Sequence, residues 1–293
     1  MARARTSDGI ELYFEEFGSG EAIVFVHEFG GNYWSWEPQI GYFSRRYRCV
    51  TFAARGFTPS DIPENVSHYS QARAVDDIFD VMDAAKIEKA HLIGLSMGGF
   101  AVLHAALRSP DRVLSAVAAG TGYGAEKEWA DYFRDVSEGV AEKFEKLGAK
   151  EFAPVYASGP SRVQFQNKDP RGWALFAQRL GLHSDRGAAN TMRGVQMLRP
   201  SLYDLEEEFK KLDVPVLVMT GDEDDHCLQT GIFLKKAISR AGLAIFPKAG
   251  HTLNLEEPEL FNRIVSEYLA QVEAGKWERR DPRANGAQIM KTE

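Results

Sequence analysis

Six residues, Gly94-Leu95-Ser96-Met97-Gly98-Gly99, constrain this chain more than any other stretch. They follow the apolar run His91-Leu92-Ile93 and open the helix-like run from Phe100 to Leu107. A serine between glycines at a strand-to-helix corner is the pattern of a nucleophile elbow. The serine there takes strained backbone angles, and side chains in place of Gly94 and Gly98 would collide with the adjoining strand and helix. The corner lifts the hydroxyl clear of the sheet and aims the Met97 amide, at the helix N-terminus, toward the same point. That geometry suits acyl transfer. A glycine-rich turn with Ser96 as a helix N-cap gives the same local pattern, so a base and an acid in suitable places must decide.

The surrounding chain alternates strand and helix. Gly9 to Phe17 alternates apolar and polar residues, as an antiparallel edge strand does. Ala22 to Val26, Tyr47 to Ala53, Val113 to Ala119 and Val214 to Met219 are short continuous apolar runs, the mark of buried parallel strands. Tyr69 to Ala84, Thr230 to Ser239 and Pro258 to Val272 are helical, and Leu243 to Phe246 is a further strand. Between Tyr123 and Leu212 the alternation stops, and the segment is helical, amphipathic and rich in aromatics. The expected fold is therefore α/β, a doubly wound, mostly parallel sheet with an inserted helical cap. The core takes residues 1–122 and 213–274, the cap 123–212, and a polar, partly disordered tail 275–293.

A net charge of −7, with no basic stripe, argues against a nucleic-acid partner. No apolar run approaches a membrane span or a signal peptide, so the expectation is a cytoplasmic protein without a membrane partner, monomeric or homodimeric. Cys49 and Cys227 form neither a disulfide framework nor a metal-binding spacing, and no cofactor or metal is expected. Cys49 reads as a buried small hydrophobe. Cys227, after an acidic run that raises its pKa, reads as a poor nucleophile.

A serine hydroxyl needs a base, and the base needs a group that holds its tautomer. In an α/β sheet these groups follow the strands, in the order Ser, Asp or Glu, His. Gly250-His251 follows the strand ending at Phe246, which makes His251 the base, with His226 read as a surface loop residue. The acid comes from Gly221-Asp222-Glu223-Asp224-Asp225. Buried together, these carboxylates would repel one another, so most must be solvated. Asp224 is favoured, then Asp222, then Asp225.

These motifs resemble those of the α/β-hydrolase family, in its serine hydrolase branch with a helical cap. The resemblance runs from about Gly9 to Val272. It includes Val26-His27, Trp36 with Pro38-Gln39, Arg55-Gly56 with Ser60-Asp61, the elbow, Pro110-Asp111-Arg112-Val113, and Gly250-His251 with Glu257-Pro258. It implies Ser96 as nucleophile, His251 as base, and Asp224 as acid, the fourth residue of the Gly-x-x-Asp turn. It implies an oxyanion hole from the amides of Met97 and Phe29. The family's His-Gly-x-Gly segment reads His27-Glu28-Phe29-Gly30 here. Glu28 in place of glycine sets a carboxylate near a developing oxyanion. Its plainest role is to turn away and bond an amide or a basic residue; the sharper one is to shape specificity or water placement. Ala53-Ala54 stands where relatives often carry an aspartate, a departure read as structural.

The expected activity is carboxylic ester hydrolysis through an acyl-enzyme, on a small-molecule ester or alternatively a polymeric one, falling on the acid side as His251 protonates. His27, Glu28, Trp129, Tyr156 and Trp173 are the candidate pocket residues, beside Met192 and Met197. Arg162, Lys168, Arg171 and Arg193 could hold an acidic substrate, but solvated surface positions are the expectation. Carbon–carbon bond hydrolysis, lactone hydrolysis and cofactor-free perhydrolysis are rivals on the same triad. A ligand receptor with weak turnover is the rival from another class.

Overall fold

A computed structural model describes residues 2–284. Eight strands form one sheet: β1 (Ala2–Arg5), β2 (Glu11–Phe17), β3 (Ala22–Val26), β4 (Arg48–Phe52), β5 (Ala90–Leu95), β6 (Val113–Ala119), β7 (Val216–Gly221) and β8 (Ala241–Phe246). Their spatial order is β1-β2-β4-β3-β5-β6-β7-β8. β1 and β2 run antiparallel to their neighbours, and β3 to β8 are parallel. Twelve helices are named in chain order: α1 (Glu37–Phe43), α2 (Gln71–Ala84), α3 (Met97–Arg108), α4 (Ala130–Leu147), α5 (Ala149–Ala157) and α6 (Val163–Lys168), then α7 (Pro170–Leu180), α8 (Asp185–Thr191), α9 (Glu206–Lys211), α10 (Asp225–Ala237), α11 (Leu253–Glu256) and α12 (Pro258–Glu273).

Two apolar layers sandwich the sheet, which is why β3, β5 and β7 are buried at every position. On one face Val24, Leu92 and Ala116 meet Ile78 of α2, Leu103 of α3 and Leu234 of α10. On the other, Phe25, Ile93 and Val117 meet Phe43 of α1 and Phe261 and Leu269 of α12. This is the doubly wound α/β arrangement. The helices from α4 to α8 lie between β6 and β7 in sequence. Phe144, Phe152, Leu180 and Ala188 of these helices share a third apolar cluster with Phe29 and Phe57 of the sheet's loops and Met97 at the start of α3.

One expectation needs correction. The segment from Gly9 to Phe17 holds β2, which is not an edge strand, because β1 pairs along its outer side. The start of the C-terminal tail is anchored. Trp277 Nε1 donates to the Arg240 carbonyl at 2.8 Å, and its ring meets Tyr268 edge-on at 4.7 Å. Residues 285–293 of the tail lie outside the described residues. Among the described residues, no helix is long and apolar enough to cross a membrane.

Candidate active site

Ser96 joins β5 to α3 with φ 53° and ψ −114°, a left-handed conformation that a non-glycine residue adopts only when its surroundings force it. The packing supplies the force. A Cβ on Gly98 would lie 2.1 Å from the Val26 carbonyl oxygen, and one on Gly94 would lie 2.2 Å from that of Gly98. The elbow is thus held between β3 and α3 by backbone contact. The Ser96 N–H donates to Ala119 O at 2.8 Å, tying the turn to β6.

Asp224 and His251 meet at 2.7 Å, Oδ2 to Nδ1, with both side chains buried. Burial alone would raise the Asp224 carboxyl. The His251 ring beside it, with smaller help from the Cys227 thiol and the Arg162 charge, outweighs that effect and holds the acid below its usual range. Asp222 and Asp225 are exposed, as the mutual repulsion of these carboxylates requires. Asp224 is the acid that reaches His251. Cys227, at the same helix start, lies 3.8 Å from His251 Nδ1. Burial first, and Asp224 second, push its thiol well above the ordinary value, so it is a poor nucleophile chiefly through desolvation.

Ser96 and His251 open into one cavity of about 550 Å³. Val136 and Val140 of α4, Phe152 and Tyr156 of α5, and Met192 form its apolar wall. Met192 and Gln196 reach it from a π-helical turn over Met192–Gln196. Among the described residues, neither the Met97 N–H nor the Phe29 N–H has a backbone acceptor.

Of the candidate pocket residues, Tyr156 and Met192 lie in the cavity wall, and Met197 is not among its lining residues. His27 is buried below it, donating from Nδ1 to Glu28 O at 2.7 Å and accepting from the Ala54 N–H at Nε2, 3.0 Å. Trp173 turns away to donate to Ala157 O at 2.8 Å, and packs with Phe165 and Phe176. Trp129 is 44% exposed and stands outside, edge-on to His226. Glu28 is buried against Arg162 at 2.5 Å, so its carboxylate bonds a basic residue as the plain reading has it.

Two further expectations fail here. His226 is not a surface loop residue: it lies in the first turn of α10, lines the cavity and packs at a tilt against Tyr123, 5.0 Å between ring centres. Arg162 is not solvated; it is 3% exposed. Lys168 and Arg193 are paired with Glu257 and with Glu138 and Glu145. The signal for Arg162 was the unmatched acid at position 28, whose charge demands a buried cation.

Asp224, Cys227 and His251 place three ligand-type atoms within 4.8 Å of one another. The 2.7 Å separation of the first and last is shorter than the roughly 3.3 Å between two ligands on a tetrahedral zinc. A hydrogen bond accounts for it.

The sequence profile described as "alpha/beta hydrolase fold" matches residues 21–258. The chain belongs to the α/β-hydrolase fold family, and it is a hydrolase. It is 28% identical over 256 residues to 3-oxoadipate enol-lactonase 1 of Acinetobacter baylyi, covering 86% of this chain and 90% of the relative. It is 30% identical over 274 residues to 2-hydroxy-6-oxo-6-phenylhexa-2,4-dienoate hydrolase of Burkholderia cepacia, covering 88% and 91%. Among solved structures, a thermophilic esterase from Thermogutta terrifontis superposes with a TM-score of 0.81 at 25% identity, covering 92% of this chain and 98% of that one.

Proposed function

We propose that this protein is a serine hydrolase that cleaves uncharged carboxylic esters, open or cyclic, through an acyl-enzyme on Ser96. The observation that carries the reading is the buried Asp224–His251 bond at 2.7 Å, opening with Ser96 into one cavity. Asp224 accepts from Nδ1–H and so leaves Nε2 of His251 free to take the Ser96 proton. Ser96 Oγ then bonds the acyl carbon, and the Met97 and Phe29 N–H groups hold the oxyanion, each donor lowering the barrier by about 3 kcal/mol. His251 returns the proton to the departing alkoxide. Water, activated by the same ring, releases the acid. In a lactone the leaving alkoxide stays attached to the acyl group.

The cavity's charge supports a neutral substrate. Glu28 already neutralises Arg162, the exposed Glu223 and Asp225 stand at the wall, and the Lys143 ammonium lies over the Phe152 ring at 5.5 Å. An apolar acyl group fits the Val136, Val140, Phe152 and Met192 wall. Carbon–carbon hydrolysis on the same residues is the second reading, supported by the likeness to the dienoate hydrolase.

Labelling with a fluorophosphonate tests the nucleophile, and a p-nitrophenyl ester and lactone series tests the substrate class. Wild-type labelling that disappears in Ser96→Ala supports the reading. Equal labelling of both proteins, or none of either, overturns it. Turnover of a vinylogous 1,5-diketone with no ester turnover selects the second reading.

A further inference from the structure

Glu28 stands immediately before Phe29, and Arg162, 134 residues later, meets it where neither side chain reaches solvent. The remaining terminal nitrogen of Arg162 donates to Thr252 Oγ1, on the residue after His251. The Ser161 carbonyl, one residue back, accepts from the His251 N–H at 3.0 Å. A Cβ on Gly250 would lie 2.5 Å from that same carbonyl oxygen, so the two backbones are in direct contact. The guanidinium rests on the Phe176 ring at 4.9 Å, and a Cβ on Gly30 would meet that ring at 2.8 Å. Ser161 and Arg162 therefore grip two separate loops of the sheet: the turn at residues 28–30 and the turn at residues 250–252.

We propose that Glu28 and Arg162 are positioning residues that lock the turn carrying the Phe29 amide to the loop carrying His251. The proposal rests on the roles given to Ser96, His251 and Phe29 above. Stability does not explain the pair, because each buried ion forfeits several kcal/mol of hydration and an apolar pair of similar volume would do as well. Geometry does. A guanidinium is a planar fork with fixed donor directions, so one group bonding two loops fixes their separation. The oxyanion donor and the base must both stay in register with Ser96, and a displacement of about 1 Å costs on the order of 100-fold in rate. Replacing glycine at position 28 gives the turn a side chain by which the helical insertion holds it. Seating the insertion and aligning the two loops become one event.

The test compares wild type with Arg162→Met, Arg162→Lys, Glu28→Gln and the double variant Glu28→Gly/Arg162→Met. The readouts are kcat and KM on p-nitrophenyl butyrate and the rate of fluorophosphonate labelling, with circular dichroism to establish folding. Arg162→Met is expected to lower kcat about 100-fold and the labelling rate in parallel, with KM within about threefold. Arg162→Lys is expected to recover about tenfold of that loss, and the double variant to lose less than the product of its parts. Folded variants with kcat within twofold of wild type, a loss confined to KM, or a Lys variant no better than Met would each overturn the proposal. If Arg162→Met does not fold, the near-isosteric Glu28→Gln decides by the same criteria. Unlabelled wild type overturns the serine reading and the brace with it; labelled wild type with indifferent variants overturns the brace alone.

Discussion

Two buried histidines make the stability of this protein steeply dependent on pH. His27 and His183 both meet the Phe57 ring edge-on, at 4.7 Å and 5.0 Å. Burial pushes His27 down to about 4 from an ordinary 6.5. Burial and then the neighbouring His27 push His183 down to about 3. The hydrogen bonds of His27 give the same answer independently. Its Nε2 accepts from the Ala54 N–H, so a second ring proton would set two N–H groups against each other. Both rings bind protons less readily in the folded chain than in the unfolded one. Stability is therefore unaffected above pH 6.5, falls as pH drops through it, and goes on falling until the folded rings themselves protonate near 4 and 3. Between pH 7 and pH 5 the loss is about 2 kcal/mol for each ring. Asp224 is held below the usual carboxylate range and titrates lower still. His104, which burial pushes down to about 4, adds to the drop, whereas burial raises the Asp77 and Glu256 carboxyls and so opposes it, and comparison with a single-ring variant isolates one histidine. Urea unfolding at pH 7 and pH 5, followed by tryptophan fluorescence, measures the drop. His183→Leu should reduce the drop by about 2 kcal/mol, whatever it does to stability at pH 7. The same drop in variant and wild type would refute the assignment of a neutral buried ring at 183.

Two further outcomes follow from the elbow and the acid. Gly98→Ala drives a methyl into the Val26 carbonyl at 2.1 Å, where backbone cannot yield, and should cost at least about 3 kcal/mol in denaturant unfolding. Asp224→Asn keeps the size of the group but offers His251 Nδ1 an amide, which favours the wrong tautomer. On the proposed mechanism, kcat should fall by about 10⁴ with the fold intact by circular dichroism, and a loss under tenfold would remove Asp224 from the mechanism.

Much of this architecture was legible because burial on both faces leaves a local trace. β3, β5, β6 and β7 are apolar runs in the sequence for the reason that helices cover them above and below. The elbow was legible because its glycines answer backbone collisions that any chain with this corner must avoid. β1 left little trace: Ala2–Arg5 is four residues long, and the buried Ala4 alone marks its inner face. Trp277 escaped notice because its neighbours are polar, although its ring settles on Tyr268. His226 was misplaced for a related reason. Its acidic neighbours suggested a solvated loop, yet α10 begins at Asp225 and turns the ring inward to Tyr123. Each of these depends on a partner distant in sequence, and periodicity records only which side of an element is buried, never against what.

The same limit governs the charge of the substrate, where it has a measurable consequence. The basic residues at 162, 168, 171 and 193 offer a seat for an anion when only the sequence is considered, although solvated surface positions are the expectation there. Folding gives Arg162 to Glu28, Lys168 to Glu257 and Arg193 to Glu138 and Glu145, and leaves Arg171 exposed. A carboxylate entering the cavity would lose its hydration beside Glu223 and Asp225 and gain no unpaired buried cation in return. Dimethyl adipate and its monomethyl ester differ by one ionised group and are nearly equal in size, so they isolate this effect. If even half of a several-kcal/mol desolvation cost reaches the transition state, kcat/KM for the diester should exceed that for the monoanion by about 100-fold. Raising the salt concentration should narrow the gap only slightly, since screening acts on the exposed Glu223 and Asp225 and not on desolvation. Equal turnover of the two esters would mean that a cation at the wall, Arg162 exchanging Glu28 or the exposed Lys143, takes the substrate carboxylate, and the neutral-cavity reading would fall.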